Sequence, residues 1–181
     1  MNASLTYESS IYKIRIDYPA NWKKVEKIKV DEKDSTKHEE NLLAVSDYSG
    51  ILVVSFVSPA AAWKDDDFQD QVAVGMMYIP KEMTLHEFVL QSIRGSRDKD
   101  PTFKLMQSTL AWLPVQNMPA LKYVYRSQGL TYLCVVTIKQ GNNNNSNSNT
   151  VYMMLYMANT SRYPIYLPVA QKMIDSFRII E

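Results

Sequence analysis

Apolar and polar side chains alternate along residues 11–18, and this period of two predicts a half-buried strand. A turn is predicted at 18–21, because Pro19 fixes φ at the second turn position and Asn21 tolerates a left-handed backbone. A second strand is predicted over 22–30, which makes the pair a hairpin. The apolar face of the first strand consists of Tyr12, Ile14, Ile16 and Tyr18.

Seven more strands are predicted further along the chain. Residues 51–57 are apolar at nearly every position, so that strand is expected to be covered on both faces. The polar tract 141–149 has no apolar side chain, and we expect a flexible Asn-rich hairpin loop there. Residues 1–8 are expected to be a flexible N-terminus, and 47–50 a turn. The seven predicted strands are 42–46, 51–57, 71–79, 103–112, 120–127, 130–139 and 150–158.

Two segments have the period of a helix. Thr84 and Glu87 have the spacing of a capping box, an apolar stripe follows, and Gly95 is the predicted stop. A second helix is predicted after Pro164, with Pro168 also at or near its start. Its apolar stripe consists of Val169, Met173 and Phe177.

This order of elements predicts one α+β domain over residues 1–181. Short turns join most neighbouring strands, which favours an antiparallel sheet of about seven to eight strands. The two amphipathic helices are expected to cover it, giving an α/β/α sandwich.

The composition is that of a globular domain, with 46% hydrophobic and 22% charged residues. The net charge of +1 offers no basic stripe for nucleic acid. No apolar run approaches the ~20 residues of a membrane span. The first ten residues lack the features of a signal peptide. We therefore expect either a cytoplasmic protein or one whose export or anchor segment lies outside this sequence.

No catalytic motif stands out. The chain has two histidines, one cysteine and five glycines, which is little material for a nucleophile–base pair or a phosphate-binding loop. His86 is predicted to be a surface residue, and Cys134 lies on an apolar strand face, where a buried thiol is inert. We therefore expect a protein without enzymatic activity.

Two acidic stretches, at 31–40 and 65–70, contain the only candidate cation ligands. Carboxylate oxygens suit calcium, but neither stretch has the spacing of a dedicated calcium loop. We expect any calcium site to have millimolar affinity, and no other cofactor. The candidate ligands are Asp34, His38, Glu39, Glu40, Asp65, Asp66 and Asp67.

Several segments, in this order, resemble the PsbP-like family, which has the Mog/PsbP-type fold: "YPANW", "MTLHEF", "MPALKYVY", "YMMLYMA" and "MIDSFRI". The family includes an extrinsic photosystem II subunit, an import factor of the Mog type that binds the Ran GTPase, and exported prokaryotic domains. The resemblance implies an antiparallel sheet between helices and a prokaryotic, extracytoplasmic type of member. It is specific at two places, Tyr18-Pro19 with Trp22 and Ser176-Phe177. We predict structural roles for Tyr18, Pro19, Trp22 and Phe177.

Together these observations predict a non-enzymatic accessory or binding domain, extracytoplasmic, that acts through a protein or membrane-complex partner. The alternative is a protein that binds a small ligand or a divalent cation through the acidic loops or an aromatic cleft.

Overall fold

A computed structural model of the chain describes residues 3–26, 50–59, 69–141 and 148–180. These residues form ten strands and two helices. In chain order the elements are β1 (Ser4–Ser9), β2 (Ile14–Pro19), β3 (Lys23–Glu26), β4 (Gly50–Val57), β5 (Gln71–Pro80), α1 (Leu85–Lys99), β6 (Lys104–Leu113), β7 (Met118–Ser127), β8 (Leu130–Lys139), β9 (Ser148–Asn159), α2 (Tyr163–Ser176) and β10 (Arg178–Ile179).

Seven strands form one antiparallel sheet in the order β3-β4-β5-β9-β8-β7-β6. The predicted α+β fold with an antiparallel sheet between helices is confirmed. Strands β5, β8 and β9 lie inside the sheet and are buried at most positions, as their nearly continuous apolar sequences require. Strand β6 lies at one edge of this sheet.

Each face of the large sheet has its own hydrophobic core. Helix α1 covers one face with Phe88, Val89 and Ile93. On the opposite face, α2 and the small sheet β1-β2-β10 pack together, and Met173 and Phe177 are buried in that core. The large sheet is therefore the middle layer of a sandwich.

Strand β1 overlaps the segment 1–8, so the expectation of a flexible N-terminus does not describe residues 4–8. Tyr7 is the buried side chain of this strand and pairs with Ile16 of β2. Leu5 and Tyr7 alternate with polar residues, but two apolar positions are too short a pattern to indicate a strand, and Leu5 is exposed. Pairing with β2 provides hydrogen-bond partners for the backbone N–H and C=O groups of β1.

The turn after β2 starts one residue later than predicted and does not form a hairpin. The Trp22 N–H donates to the Pro19 carbonyl oxygen at 2.9 Å, so Pro19 occupies the first turn position. Strand β2 pairs with β1 and β10, whereas β3 pairs with β4. The predicted pairing of the first two strands is therefore wrong, because this turn carries the chain from one sheet to the other.

Strands β8 and β9 pair antiparallel on either side of the Asn-rich tract, so the predicted hairpin is confirmed. Strand β9 begins inside the tract, at Ser148. Asn149 is buried, and its side chain donates to the Lys81 carbonyl at 3.0 Å. The predicted loop 141–149 thus includes two strand residues, because a buried amide with a partner can replace an apolar side chain.

The capping box at α1 is confirmed. The Thr84 hydroxyl accepts from the Glu87 N–H at 3.2 Å, and the Thr84 N–H donates to the Glu87 carboxylate at 2.8 Å. The predicted stop at Gly95 is wrong, because α1 continues to Lys99. Helix α2 has Pro164 in its first turn, but Pro168 lies inside the helix rather than at its start.

Candidate interaction surface

All seven predicted cation ligands lie outside the residues that the structure describes: Asp34, His38, Glu39, Glu40, Asp65, Asp66 and Asp67. Residues 27–30 of the second predicted strand, the predicted strand 42–46 and the turn residues 47–49 also lie outside them. Within 3–26, 50–59, 69–141 and 148–180, no three His, Cys, Asp or Glu side chains are grouped so as to hold a metal.

Asp70, at the end of the second acidic stretch, is described and fully buried. One of its carboxylate oxygens, Oδ1, lies 3.8 Å from Arg162 Nη2 at the start of α2. Burial raises the pKa of Asp70, and the positive charge of Arg162 and the backbone N–H of Asn159 oppose that rise. The Asp70 carboxylate is therefore half of a buried ion pair between the sheet and α2.

The four residues for which structural roles were predicted lie at or in the core between α2 and the sheet. The Tyr18 ring lies 4.6 Å from the Phe56 ring, and Trp22 packs edge-on against a tyrosine of α2 at 5.8 Å. Phe177 is fully buried, and Pro19 opens the turn between the two sheets.

Cys134 lies in the other core, beneath α1, and is 1% exposed. Burial raises the pKa of this thiol to about 12. A thiol is a weak nucleophile unless it ionises, so this residue offers no reactive group at neutral pH. His86 is exposed, as predicted.

The most exposed apolar side chains of the sheet lie on its edge strand β6. Within the described residues β6 pairs with β7 alone, so one side of its backbone is free to pair with another strand. Leu110 is 81% exposed and Trp112 is 62% exposed. Met106 and Val115 are also exposed, and we call these four residues the β6 surface.

Two features limit the regular part of this edge. Met106 forms a bulge, since Leu105 pairs with Tyr125 and Gln107 with Val124. Pro114 follows the last strand residue and has no N–H to continue a ladder. The uninterrupted edge therefore runs from Gln107 to Leu113.

A groove lies on each side of β6. The smaller has a volume of about 290 Å³ and separates β6 from α1. Leu110 forms one wall, Leu90 of α1 forms the other, and Leu121 of β7 lies between them. This groove extends the apolar part of the β6 surface onto the helix.

The larger groove, of about 460 Å³, lies between α2 and the sheet. Val124, Leu133 and Leu167 give it an apolar lining. Lys122 Nζ donates to Gln171 Oε1 at 2.9 Å, so the lysine is held against α2. Tyr163 also lines it, and burial raises the pKa of its hydroxyl to about 12, so this tyrosine is neutral at physiological pH.

The sequence predicted the strand at 103–112 but not its exposure. Strand position within a sheet depends on which distant segments pair, and no local pattern encodes that. One signal was available in the sequence: no charged residue occurs between Lys104 and Lys122. A solvent-exposed strand face normally carries charges, so a strand without charges indicates a surface that contacts another element or molecule.

Comparison with solved structures identifies the fold. Cyanobacterial PsbP from Synechocystis is similar over 99% of this chain and 94% of its own, with a TM-score of 0.60 and 13% identity. LpqN, involved in cell envelope biogenesis of Mycobacterium tuberculosis, is similar over 99% of this chain and 86% of its own. Its TM-score is 0.59 and its identity is 10%. The chain therefore has the PsbP-type fold, and the resemblance is confirmed at that level.

The Ran-binding protein Mog1p of Saccharomyces cerevisiae also aligns over 100% of this chain and 97% of its own, with a TM-score of 0.48 and 8% identity. No family model and no curated protein matches the sequence itself. In the part of the chain that the structure describes, no helix is long and apolar enough to span a membrane.

Proposed function

We propose that this chain is a non-enzymatic accessory or binding domain that acts through a protein partner, and that the partner attaches at the β6 surface. The observation that carries the proposal is a sheet edge that is unpaired within the described residues and on which Leu110 and Trp112 are highly exposed. Leu110 and Trp112 project from the face that also bears α1, as their pairing with Leu121 and Pro119 indicates.

Exposed edges are usually blunted by charges, because a free strand invites pairing with another chain. The protecting features on this strand lie at its ends: Lys104 and the bulge at Met106 at one end, and Pro114 at the other. Contiguous exposed apolar side chains on a folded domain mark interaction sites. An added strand whose apolar side chains enter the groove beside α1 is therefore the kind of partner that this edge can accept.

The chemistry of the described side chains supports a binding role. Cys134 is buried with a raised pKa, and Asp70 is paired with Arg162 in the core. Neither is placed to act on a substrate. The predicted calcium site, of millimolar affinity, stays a prediction, because its ligands lie outside the described residues.

The experiment places a photo-crosslinking amino acid at Trp112 in the protein expressed in its own cells. The matched control carries the same group at Ile165, which is 63% exposed on α2 and lines neither groove. We expect a cross-linked protein at position 112 and not at 165. The purified partner should then bind at least tenfold more weakly to Leu110→Lys than to wild type, whereas Ile165→Lys should bind normally.

Equal cross-linking from both positions, or equal weakening by both lysine variants, would contradict the proposal. The extracytoplasmic location also stays a proposal, and fractionation of the same cells tests it. Recovery of the chain in the cytoplasmic fraction alone would exclude that location.

A further inference from the structure

We infer that the protein partner at the β6 surface is a second copy of this chain, joined by antiparallel pairing of β6 with β6. This inference rests on the proposed function, because it uses the same surface and names its occupant. The dimer would extend the seven-stranded sheet across a two-fold axis.

The backbone determines what kind of group can cover this edge. The unpaired N–H and C=O groups of a sheet edge are best satisfied by another extended strand. Seven of the ten β6 residues are exposed, among them Gln107, Ser108 and Thr109, so side chains on both faces of the edge are open to solvent. A strand can therefore approach without displacing any described element.

The regular edge is self-complementary about its centre. A two-fold axis between two copies of Leu110 pairs every residue from Gln107 to Leu113, and no other antiparallel register does so within those limits. Each side chain then meets one from the same face of the sheet, because the register is even. The pairs are Gln107 with Leu113, Ser108 with Trp112, Thr109 with Ala111, and Leu110 with Leu110.

The charge pattern favours a copy of this strand over a charged one. No charge lies between Lys104 and Lys122, so this register brings no like charges opposite each other. Leu110 of one copy would contact Leu110 of the other, flanked by the two Trp112 rings. The side chains that are now most exposed would thus become the centre of the contact, where apolar residues belong.

The contact is small for a protein–protein interface. A seven-residue ladder is about 23 Å long, and a single strand pair buries less than the standard interface of about 1,600 Å². We therefore expect a reversible dimer that dissociates on dilution.

The first test is sedimentation equilibrium over about 1–500 µM, a wide range chosen because interfaces below standard size belong to weak or transient complexes. We expect the mass of wild type to rise toward twice that of the chain, and Leu110→Lys to weaken the association at least tenfold. Ile165→Lys is the matched control and should associate as wild type does. Circular dichroism verifies the fold of each variant, and Leu110 tolerates lysine because it is 81% exposed.

The second test fixes the register. In Leu110→Cys, mild oxidation should link two copies, because the two sulfurs face each other across the axis. In Ser108→Cys the cysteine faces Trp112 of the other copy, so linking should be at least tenfold slower. Cys134 is buried and should not take part. Faster linking through position 108 would overturn the register.

A chain that stays monomeric to 500 µM, or a Leu110→Lys variant that dimerises like wild type, overturns the inference. The proposed function can hold even if the dimer does not form. If the chain is monomeric but the cross-linker at Trp112 captures a different protein that Leu110→Lys fails to bind, the surface stands and its occupant is not a second copy. If neither association occurs, both proposals fail.

Discussion

The two faces of the large sheet are closed in different ways. The face under α1 is covered by one amphipathic helix with its own capping box, and its core includes a buried thiol. The opposite face is covered by α2 together with a small sheet whose strands come from both ends of the chain. Helix α2 has no side-chain cap, and the buried Asp70–Arg162 pair lies at its start.

This difference shows that one face is specified by local signals and the other by distant ones. A capping box and an apolar stripe are complete within about fifteen residues. In contrast, β10 finds its partner strand β2 almost a whole chain length away. Variants on each face therefore measure the local and the long-range contributions to stability separately.

The largest expected effect is on the α2 face, at Trp22. This side chain is 5% exposed and packs against Tyr166, so Trp22→Ala should destabilise the fold by about 3–5 kcal/mol. Trp112→Ala is the matched control and should stay within about 0.5 kcal/mol. Urea unfolding at low protein concentration, where monomers predominate, measures both. Equal midpoints would show that Trp22 contributes no core packing.

The next largest effect on stability is expected at the hydrogen bonds between the β6–β7 turn and β10. Gln116 Nε2 donates to the Ile179 carbonyl at 2.7 Å, and the Ile179 N–H donates to Gln116 Oε1 at 2.7 Å. Gln116→Ala should cost about 1–3 kcal/mol, because it leaves two backbone groups without these partners. The exposed Gln107→Ala variant is the control. Hydrogen exchange at Ile179 that is unchanged in Gln116→Ala would contradict this account.

On the α1 face, Thr84→Ala should cost about 0.5–2 kcal/mol, because it removes the acceptor for the Glu87 N–H. Thr84→Ser keeps that acceptor and should recover most of the loss. Thermal or urea unfolding measures the stability of both variants. A serine variant as unstable as the alanine variant would assign the effect to the lost methyl group instead.

The smallest effect is a pH dependence at Asp70. Burial raises its pKa in the folded state above the ordinary value of 3.8, so the folded state binds this proton more tightly than the unfolded state. The resulting stabilisation is present below 3.8 and is lost as the pH rises through the folded-state pKa. The stability of Asp70→Asn relative to wild type should therefore increase from pH 4 toward pH 7.

The quantity measured is the difference between the two unfolding free energies at each pH, in which the other titrating groups cancel. Gln107→Ala, an exposed substitution that changes no charge, is the control and should show a constant difference. A relative stability of Asp70→Asn that falls with rising pH would mean that Arg162 outweighs the cost of burial.

The features that could be predicted from the sequence are those that depend on local signals, and the features that were missed depend on long-range pairing. The capping box at Thr84, the strand 130–139 with buried Cys134, and the antiparallel sheet were predictable, because each has a local period or spacing. Strand β1 was missed, since its two alternating apolar residues, Leu5 and Tyr7, are too few to indicate a strand without its pairing to β2. The β6 surface was missed for a related reason: its edge position depends on the pairing order of seven strands.

The position of β2 has a consequence for how the protein is made. Its backbone is paired on one side with β1 and on the other with β10, and the Asp17 N–H donates to the Ser176 hydroxyl 159 residues later at 2.9 Å. During synthesis, β2 leaves the ribosome long before β10 exists. The α1 face can assemble on the nascent chain, but the small sheet can be completed only after β10 has been translated and released. Until then, the side of β2 that pairs with β10 in the folded protein lacks its strand partner.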